Sequence, residues 1–162
     1  MTNLPTWEEM LEQAPDSNLV KRLLALDPGE TTGYAIFERG LLTEWGQLPT
    51  HTVDESVLLL VDHISIANHV VVENYQVYAW KLKEHKYSTL HTPRLIGCIE
   101  TLCRLKGVKP TKQTAQNAKK FVTDEKLKEW GMWIKGKPHT RDAIRHGIYY
   151  TIFGKPNPKK GT

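Results

Sequence analysis

The stretch from Lys21 to Ile36 constrains the fold most, because it joins two apolar runs through a turn that carries one carboxylate. Leu23–Leu26 and Tyr34–Phe37 are typical of strands, and Pro28-Gly29 between them is a turn signal. The stretch therefore predicts a hairpin with Asp27 at the end of its first strand. If that strand is central, its carboxylate is partly desolvated and needs a partner such as a metal ion. An Asx turn opened by Asp27 is the alternative.

A second apolar run also ends in an acid. His69-Val-Val-Val-Glu73 is short and rich in β-branched residues, which is typical of a buried strand. Because neighbouring strands that end at one edge of a sheet bring their last residues together, Glu73 is a candidate companion of Asp27. An ordinary surface acid at a strand end is the alternative interpretation of Glu73.

The last apolar segment predicts a helix from His139 to Phe153. His139 and Asp142 are three residues apart, so they lie on one face of its first turn. Capping and solvation of the helix end would also explain this pair. Together with Asp27 and Glu73, however, the pair completes three carboxylates and an imidazole, a set that suits Mg²⁺ or Mn²⁺ better than a structural zinc ion.

The rest of the chain predicts an α/β protein of one domain, which is the usual outcome for 162 residues. Further strands are expected at Leu41–Gln47 and Val108–Thr111, and further helices at Thr6–Ala14, Ser56–Ala67, Pro93–Lys106, Thr114–Phe121 and Asp124–Trp133. Residues 1–20 are interpreted as an accessory amino-terminal helix and linker, and residues 154–162 as a basic flexible tail.

The formal net charge of +4 is concentrated in the last third of the chain, where Asp124, Glu125, Glu129 and Asp142 are the acidic residues. A basic surface of this kind favours a phosphate backbone as partner, although solvated lysines are the alternative. The segment from Tyr75 to Tyr87 mixes aromatic and basic residues and could stack on bases. The candidate DNA contacts are Lys81, Lys83, Lys86, Lys112, Lys119, Lys120, Lys135, Lys137 and Arg141.

Several function classes lack their sequence signals. No apolar run approaches the roughly 20 residues that span a bilayer, and the amino terminus lacks the apolar region of a signal peptide. Cys98 and Cys103 form neither a disulfide framework nor a zinc motif, which suits a reducing compartment. The sequence has no Walker loop and no Gly-x-Gly-x-x-Gly motif. We therefore expect a cytoplasmic protein with no membrane partner and no nucleotide cofactor.

At this point the sequence resembles the RuvC-type Holliday-junction resolvases, particularly phage-encoded members. The resemblance rests on Leu-Asp-Pro-Gly-x-Thr-x-Gly-Tyr at the hairpin, Val-Val-Val-Glu-Asn on the fourth strand, Lys112-Gln113-Thr114 and His139-x-x-Asp142-Ala-Ile. Each motif alone is weak, but the ordered set runs from about Lys21 to Phe153. The extra helix before Lys21, the Tyr75–Tyr87 segment and the basic tail depart from the family pattern, which leaves the substrate preference open.

The resemblance implies a ribonuclease-H-like nuclease domain at 21–153, with a five-stranded mixed sheet whose first three strands are antiparallel, flanked by helices. It implies a homodimer, formed through the Pro93–Lys106 helix, that makes paired nicks in four-way DNA junctions. Asp27, Glu73, His139 and Asp142 would hold two Mg²⁺ or Mn²⁺ ions about 4 Å apart for hydrolysis of a phosphodiester. Lys112 resembles a family lysine thought to assist with the phosphate, and a solvated surface lysine is the alternative.

Other functions start from the same residues. Flap or fork cleavage by the same fold stays open, as does a junction-binding module without catalysis. Asp-Pro-Gly-x-Thr-Thr-Gly also looks like the phosphate loop of the actin and sugar-kinase superfamily. Those proteins need two lobes and a second phosphate loop, for which 162 residues are too few.

Overall fold

The computed structural model describes residues 3–75 and 91–155. Their strands form a mixed five-stranded sheet in the order β3-β2-β1-β4-β5, in which β1, β2 and β3 are antiparallel and β4 and β5 run parallel to β1. The strands are β1 (Leu23–Asp27), β2 (Thr31–Glu38), β3 (Leu41–Pro49), β4 (His69–Glu73) and β5 (Thr111–Gln113). The helices are α1 (Trp7–Gln13), α2 (Val53–Ser65), α3 (His91–Lys106), α4 (Ala115–Phe121), α5 (Asp124–Glu129) and α6 (Pro138–Phe153). The predicted sheet is confirmed.

β1 lies at the centre of the sheet, and its side chains alternate between the two faces. Leu23 and Ala25 belong to the core cluster under α6, whereas Leu24 and Leu26 belong to the cluster under α2 and α3. A strand that is apolar at successive positions requires a sheet covered on both faces, and every residue of β1 is buried. Asp27 continues the alternation of Leu23 and Ala25, so its carboxylate lies on the α6 side.

α6 crosses the sheet so closely that glycine is required at two points of their contact, one on β2 and one on α6 itself. A Cβ atom on Gly33 would overlap the carbonyl group of His139, and one on Gly147 would overlap the ring of Phe37. The Thr140 hydroxyl also donates to the Gly46 carbonyl at 2.7 Å. Because Gly33 is the β2 partner of Asp27, these contacts place the first turn of α6 beside the end of β1.

The amino-terminal helix α1 is joined to the core under α6. Thr6 and Glu9 form a capping box at its start, as the sequence predicts. Trp7 is 5% exposed, and its ring centroid lies 5.2 Å from that of Trp130. The Trp7 indole nitrogen donates to the Gly40 carbonyl at 2.9 Å. The division of the chain at residue 20 stays a prediction.

Several predicted boundaries were wrong, and four of them show the physical reasons. α3 also begins at His91 instead of Pro93, and β3 ends at Pro49 instead of Gln47. β2 begins at Thr31 instead of Tyr34, because Thr31 already pairs with Pro49 on β3. β5 begins at Thr111 instead of Val108, after Pro110, which lacks an N–H for a ladder. α5 ends at Glu129 instead of Trp133, since Gly131 turns the chain at a φ of +69°.

The fourth boundary concerns α2, which spans Val53–Ser65 instead of Ser56–Ala67 because the Thr52 hydroxyl caps its start. Lys81, Lys83 and Lys86, with most of the predicted Tyr75–Tyr87 loop, lie outside the described residues. The predicted tail lies outside them from residue 156 onward. Among the described helices, none is both long and apolar enough to cross a membrane.

Candidate active site

Asp27 and Glu73 meet at one edge of the sheet. β1 and β4 run parallel with Leu26 opposite Val72, so the two acids follow as neighbours at the strand ends. Asp27 is 7% exposed, and the Glu73 side chain is 24% exposed. The predicted meeting of the two strand-end acids is confirmed.

The surroundings of Asp27 disfavour a negative charge. Burial, followed by the nearby charges of Glu73 and Asp142 and a hydrogen bond with Glu73, raises the pKa of Asp27 to about 9, and Lys119 acts weakly in the opposite direction. A carboxyl group in such a place holds its proton at neutral pH unless a cation replaces it. The positive charge close to Asp27 and Glu73 is therefore too small to stabilise two ionised carboxylates.

The first turn of α6 brings the two remaining candidate ligands to the same place. His139 Nδ1 lies 3.0 Å from Asp27 Oδ2, and half of the imidazole is open to solvent. One turn later, Asp142 accepts a hydrogen bond from Arg145 Nη1 at 2.8 Å and forms an ion pair with Lys119 Nζ at 3.0 Å. The four predicted metal ligands thus surround one end of β1, and their roles stay predictions.

Two side chains at this site were missed by the sequence reasoning. His146 is 1% exposed and lies between Glu73 and Gln113. Arg145 is buried and joins Asp142 to Asp124 and to the Val122 carbonyl. A sequence signal existed for His146, because it follows His139 by seven residues, or two helical turns, and therefore shares its face.

Lys112 lies on the other face of the sheet. Its neighbours Thr111 and Gln113 are buried toward α6, and alternation along β5 directs Lys112 toward α3. There its ammonium forms an ion pair with Glu100. The predicted assistance of Lys112 to a phosphate stays a prediction, and it would require this ion pair to open.

The other predicted DNA contacts differ in how strongly they are held. Lys120, Lys135 and Lys137 are exposed, and Lys119 is exposed apart from its ion pair with Asp142. Arg141 instead donates to the Ile134 carbonyl at 2.7 Å and lies over the Trp133 ring. Arg141 therefore holds the loop that precedes α6.

The four side chains are chemically suitable ligands for a hard cation, although Asp142 is turned away from the other three toward Lys119 and Arg145. Carboxylates with one imidazole are suitable ligands for Mg²⁺ or Mn²⁺, and the raised pKa of Asp27 shows the lack of a countercharge. Within residues 3–75 and 91–155, however, no three His, Cys, Asp or Glu side chains are arranged to hold a metal. The reason is that Asp142 is turned to Lys119 and Arg145. Metal binding would require Asp142 to exchange these partners.

Comparison with known proteins gives a structural match without a sequence match. No protein-family model and no curated protein matches the chain. RuvC of T. thermophilus in complex with a Holliday junction substrate superposes with a TM-score of 0.60 and 15% identity, over 80% of this chain and 91% of that one. Thermus thermophilus RuvC by itself gives a TM-score of 0.57 and 14% identity, over 80% and 92% of the two chains. The chain therefore has the RuvC-like, ribonuclease-H-like fold that its motifs predict.

Proposed function

We propose that this chain is a structure-selective DNA endonuclease that resolves four-way junctions and related branched DNA by metal-dependent phosphodiester hydrolysis. The observation that carries the proposal is the meeting of Asp27, Glu73, His139 and Asp142 around one strand end. The fold match to a RuvC structure solved with a Holliday junction supports the choice of substrate.

In this proposal, Asp27, Glu73 and Asp142 with His139 hold two Mg²⁺ or Mn²⁺ ions. When bound, such ions lower the pKa of a coordinated water and stabilise the leaving oxygen of the phosphodiester. The chain itself supplies the negative site, excludes water from Asp27 by burial and offers His139 beside the Asp27 carboxylate. His139 either binds the metal or orients the attacking water.

Basic residues near the site would hold the DNA backbone. Lys119 reaches Asp142 from α4, while Lys135 and Lys137 are exposed in the loop that leads into α6. Cations placed in this way neutralise phosphates without reading sequence. Lys119 would pass from Asp142 to a phosphate once a metal occupies the carboxylates, and Lys112 would join it after leaving Glu100.

We further propose that the chain acts as a homodimer whose interface includes α3. A groove of about 800 Å³ runs along this helix, lined by Gly97, Glu100, Thr101, Arg104, residues 107–110 and Lys112. Leu105 on the same helix is 81% exposed. A two-fold dimer would present two equivalent sites to the opposing strands of a junction. Sedimentation equilibrium of the wild type and of Leu105→Glu tests this, and a monomeric wild type would contradict it.

The same proposal includes the cellular location of the protein and a phage-encoded origin. A DNA resolvase acts where DNA recombines or is packaged, so we expect the protein in the cytoplasm. A phage-encoded origin would place it in the cytoplasm of the host cell.

Cleavage assays on four-way junction, flap, fork and linear duplex, side by side with Mg²⁺, test the function. We expect the wild type to nick the junction fastest and to leave a 5′-phosphate and a 3′-hydroxyl. Asp27→Asn and Glu73→Gln should abolish cutting while binding of the junction persists. Glu12→Gln, a change at an exposed acid of α1, is the matched control and should cut normally.

Each other outcome has a defined meaning. Faster cutting of flaps or forks than of junctions would show that the flap or the fork is the preferred substrate. Junction binding without any cutting would indicate a binding module. Cutting that survives Asp27→Asn or Glu73→Gln would contradict the site assignment, and ATP binding in a calorimetric titration would favour the actin-like alternative.

A further inference from the structure

The buried imidazole of His146 connects α6 to the ends of β4 and β5. Its Nε2 atom lies 2.9 Å from Glu73 Oε2, and its Nδ1 atom lies 2.9 Å from Gln113 Oε1. Only 1% of His146 is exposed, and Gln113 is 6% exposed. Water therefore cannot readily replace Glu73 or Gln113 as the hydrogen-bond partner of either ring nitrogen.

The partners of the imidazole decide where its proton lies. An ionised carboxylate only accepts hydrogen bonds, so the contact with Glu73 is attractive when Nε2 carries a hydrogen atom. The Gln113 amide can pair with Nδ1 whether or not Nδ1 carries a hydrogen atom. The amide oxygen accepts from a protonated Nδ1, and the amide nitrogen donates to an unprotonated one. The Gln113 nitrogen is buried without a hydrogen-bond partner, and a half-turn of the amide would present it to Nδ1. A proton on Nε2 is common to both arrangements.

We infer that His146 is a positioning residue, whose Nε2–H group fixes one oxygen of Glu73 and so sets the direction in which the other oxygen faces the site. Gln113 holds the imidazole from its far side. This inference rests on the proposed function, because it assigns His146 to the orientation of a proposed metal ligand. Groups that orient a metal ligand in this way typically contribute about 10- to 100-fold to metal affinity.

A simple packing role is the competing explanation. His69, a second buried histidine, shows what such a role looks like, because its ring stacks on Tyr150 and its Nε2 contacts Thr111 Oγ1 at 2.8 Å. His69 contacts a hydroxyl group, whereas His146 contacts an acid of the site. The two histidines therefore form a matched pair for an experiment.

The first test is a long-range ¹H–¹⁵N correlation spectrum of the metal-free protein, with the His146 signals assigned from a His146→Gln variant. We expect a proton on Nε2. A spectrum in which Nε2 carries no proton would overturn the inference. This measurement needs no nuclease activity, so it decides the contact even if the proposed function fails.

The second test is Mn²⁺ affinity, measured by calorimetry on variants whose folding is checked by circular dichroism. His146→Leu should lower the affinity about 10- to 100-fold. His146→Gln should restore most of it, because its amide nitrogen can donate to Glu73, and His69→Gln should leave it unchanged. Equal affinities for wild type and His146→Leu would overturn the positioning role.

The two proposals fail in different ways. If Asp27→Asn weakens Mn²⁺ binding but His146→Leu does not, the positioning role fails while the metal site stands. If the wild type binds no Mn²⁺, the proposed function fails, and the nitrogen spectrum still decides whether His146 holds Glu73. If His146→Leu does not fold, the spectrum and the His146→Gln variant decide the matter.

Discussion

Asp27 Oδ2 lies 3.0 Å from His139 Nδ1, although the two residues are 112 positions apart in the chain. The contact joins the end of the central strand to the first turn of the last helix. It also lies against two further acids, Glu73 and Asp142, whose charges act on Asp27. The energetics of this one carboxyl group therefore govern how the site responds to pH and to cations.

The stability of the metal-free protein should fall as pH rises from about 6.5 to 9. In the unfolded chain Asp27 has an ordinary pKa of 3.8, whereas in the folded protein burial and its acidic neighbours raise the pKa to about 9, so the folded state binds the extra proton and the Asp27 contribution to the free energy of unfolding decreases with rising pH. Burial lowers the pKa of His69 from 6.5 to about 4, which acts in the opposite direction below pH 6.5, so the net decrease is expected above that pH. Urea unfolding at a series of pH values measures this. A free energy of unfolding that rises with pH over this window would contradict it.

Asp27→Asn should stabilise the metal-free protein at neutral pH while abolishing cleavage. The variant removes a buried group whose charge is disfavoured. We expect this to raise the free energy of unfolding by about 1–3 kcal/mol. The melting temperature should rise by about 2–4 °C per kcal/mol. Thermal unfolding in EDTA checks this, with Glu12→Gln as control. A lower melting temperature would mean that the charged form is well accommodated.

Divalent cations should bind more tightly as pH rises toward 9. A metal has to displace the proton that Asp27 retains because its pKa is raised to about 9, so binding releases a proton. Calorimetric titrations with Mn²⁺ in two buffers of different ionisation enthalpy measure the number of protons released. Binding without proton release at pH 7 would show that Asp27 is already ionised.

Gly33→Ala should disturb the docking of α6. The new methyl group would overlap the carbonyl of His139. Gly33 is held in the sheet by its pairing with Asp27 and Gln47, so α6 would have to move away from β2. Overpacking of this kind costs about 1–3 kcal/mol. Urea unfolding checks the loss. Gly97→Ala is the control, because its methyl group would meet open space on α3 and should not destabilise the fold.

Lys119→Gln should impair cleavage more than Lys120→Gln. Both lysines are on α4, but Lys119 pairs with Asp142 whereas Lys120 is exposed on the same helix. We expect a loss of about 100-fold in kcat for Lys119→Gln, the lower end of the cost of removing one charge-stabilising donor. Either variant should also show a weaker dependence of junction binding on salt. Equal cleavage rates for the two variants would show that Lys119 has no special role in the active site. Lys112→Gln, measured alongside, tests its predicted role.

Trp7→Ala should destabilise the whole domain. Trp7 is 5% exposed and its ring packs at an angle of 47° against that of Trp130, so its removal leaves a cavity in the core under α6. A loss of about 3–5 kcal/mol is typical of such a change. Trp45→Ala is the control, since Trp45 is 43% exposed on β3. A small effect of Trp7→Ala in thermal unfolding would show that residues 1–20 are an accessory element, as the sequence suggests.

Local patterns determined the secondary structure. The continuous apolar run of β1, the β-branched run of β4 and the Thr6 capping box each act within a few residues, so the sequence alone predicted them. Among the boundaries that were wrong, the start of β2 depends on a partner that is remote in the chain, because Thr31 pairs with Pro49. The starts of α2 and β5 and the end of α5 depend instead on Thr52, Pro110 and Gly131, which lie close to them in the sequence.

The sequence by itself determined which residue types the site contains, because Asp27, Glu73, His139 and Asp142 stand at the ends of elements that could be predicted. Only the tertiary structure decided how these residues are partnered. Asp142 is held by Lys119 and Arg145, Lys112 is directed to Glu100, and His146 holds Glu73. The contacts of Asp142 and His146 depend on the close approach of α6 to the sheet, where Gly33 lies against the His139 carbonyl and Gly147 of α6 lies against the Phe37 ring. A close approach between distant segments leaves no periodic signal in the sequence. The spacing of seven residues places His146 on the same helical face as His139, but only the folded protein shows that this face meets Glu73 and Gln113.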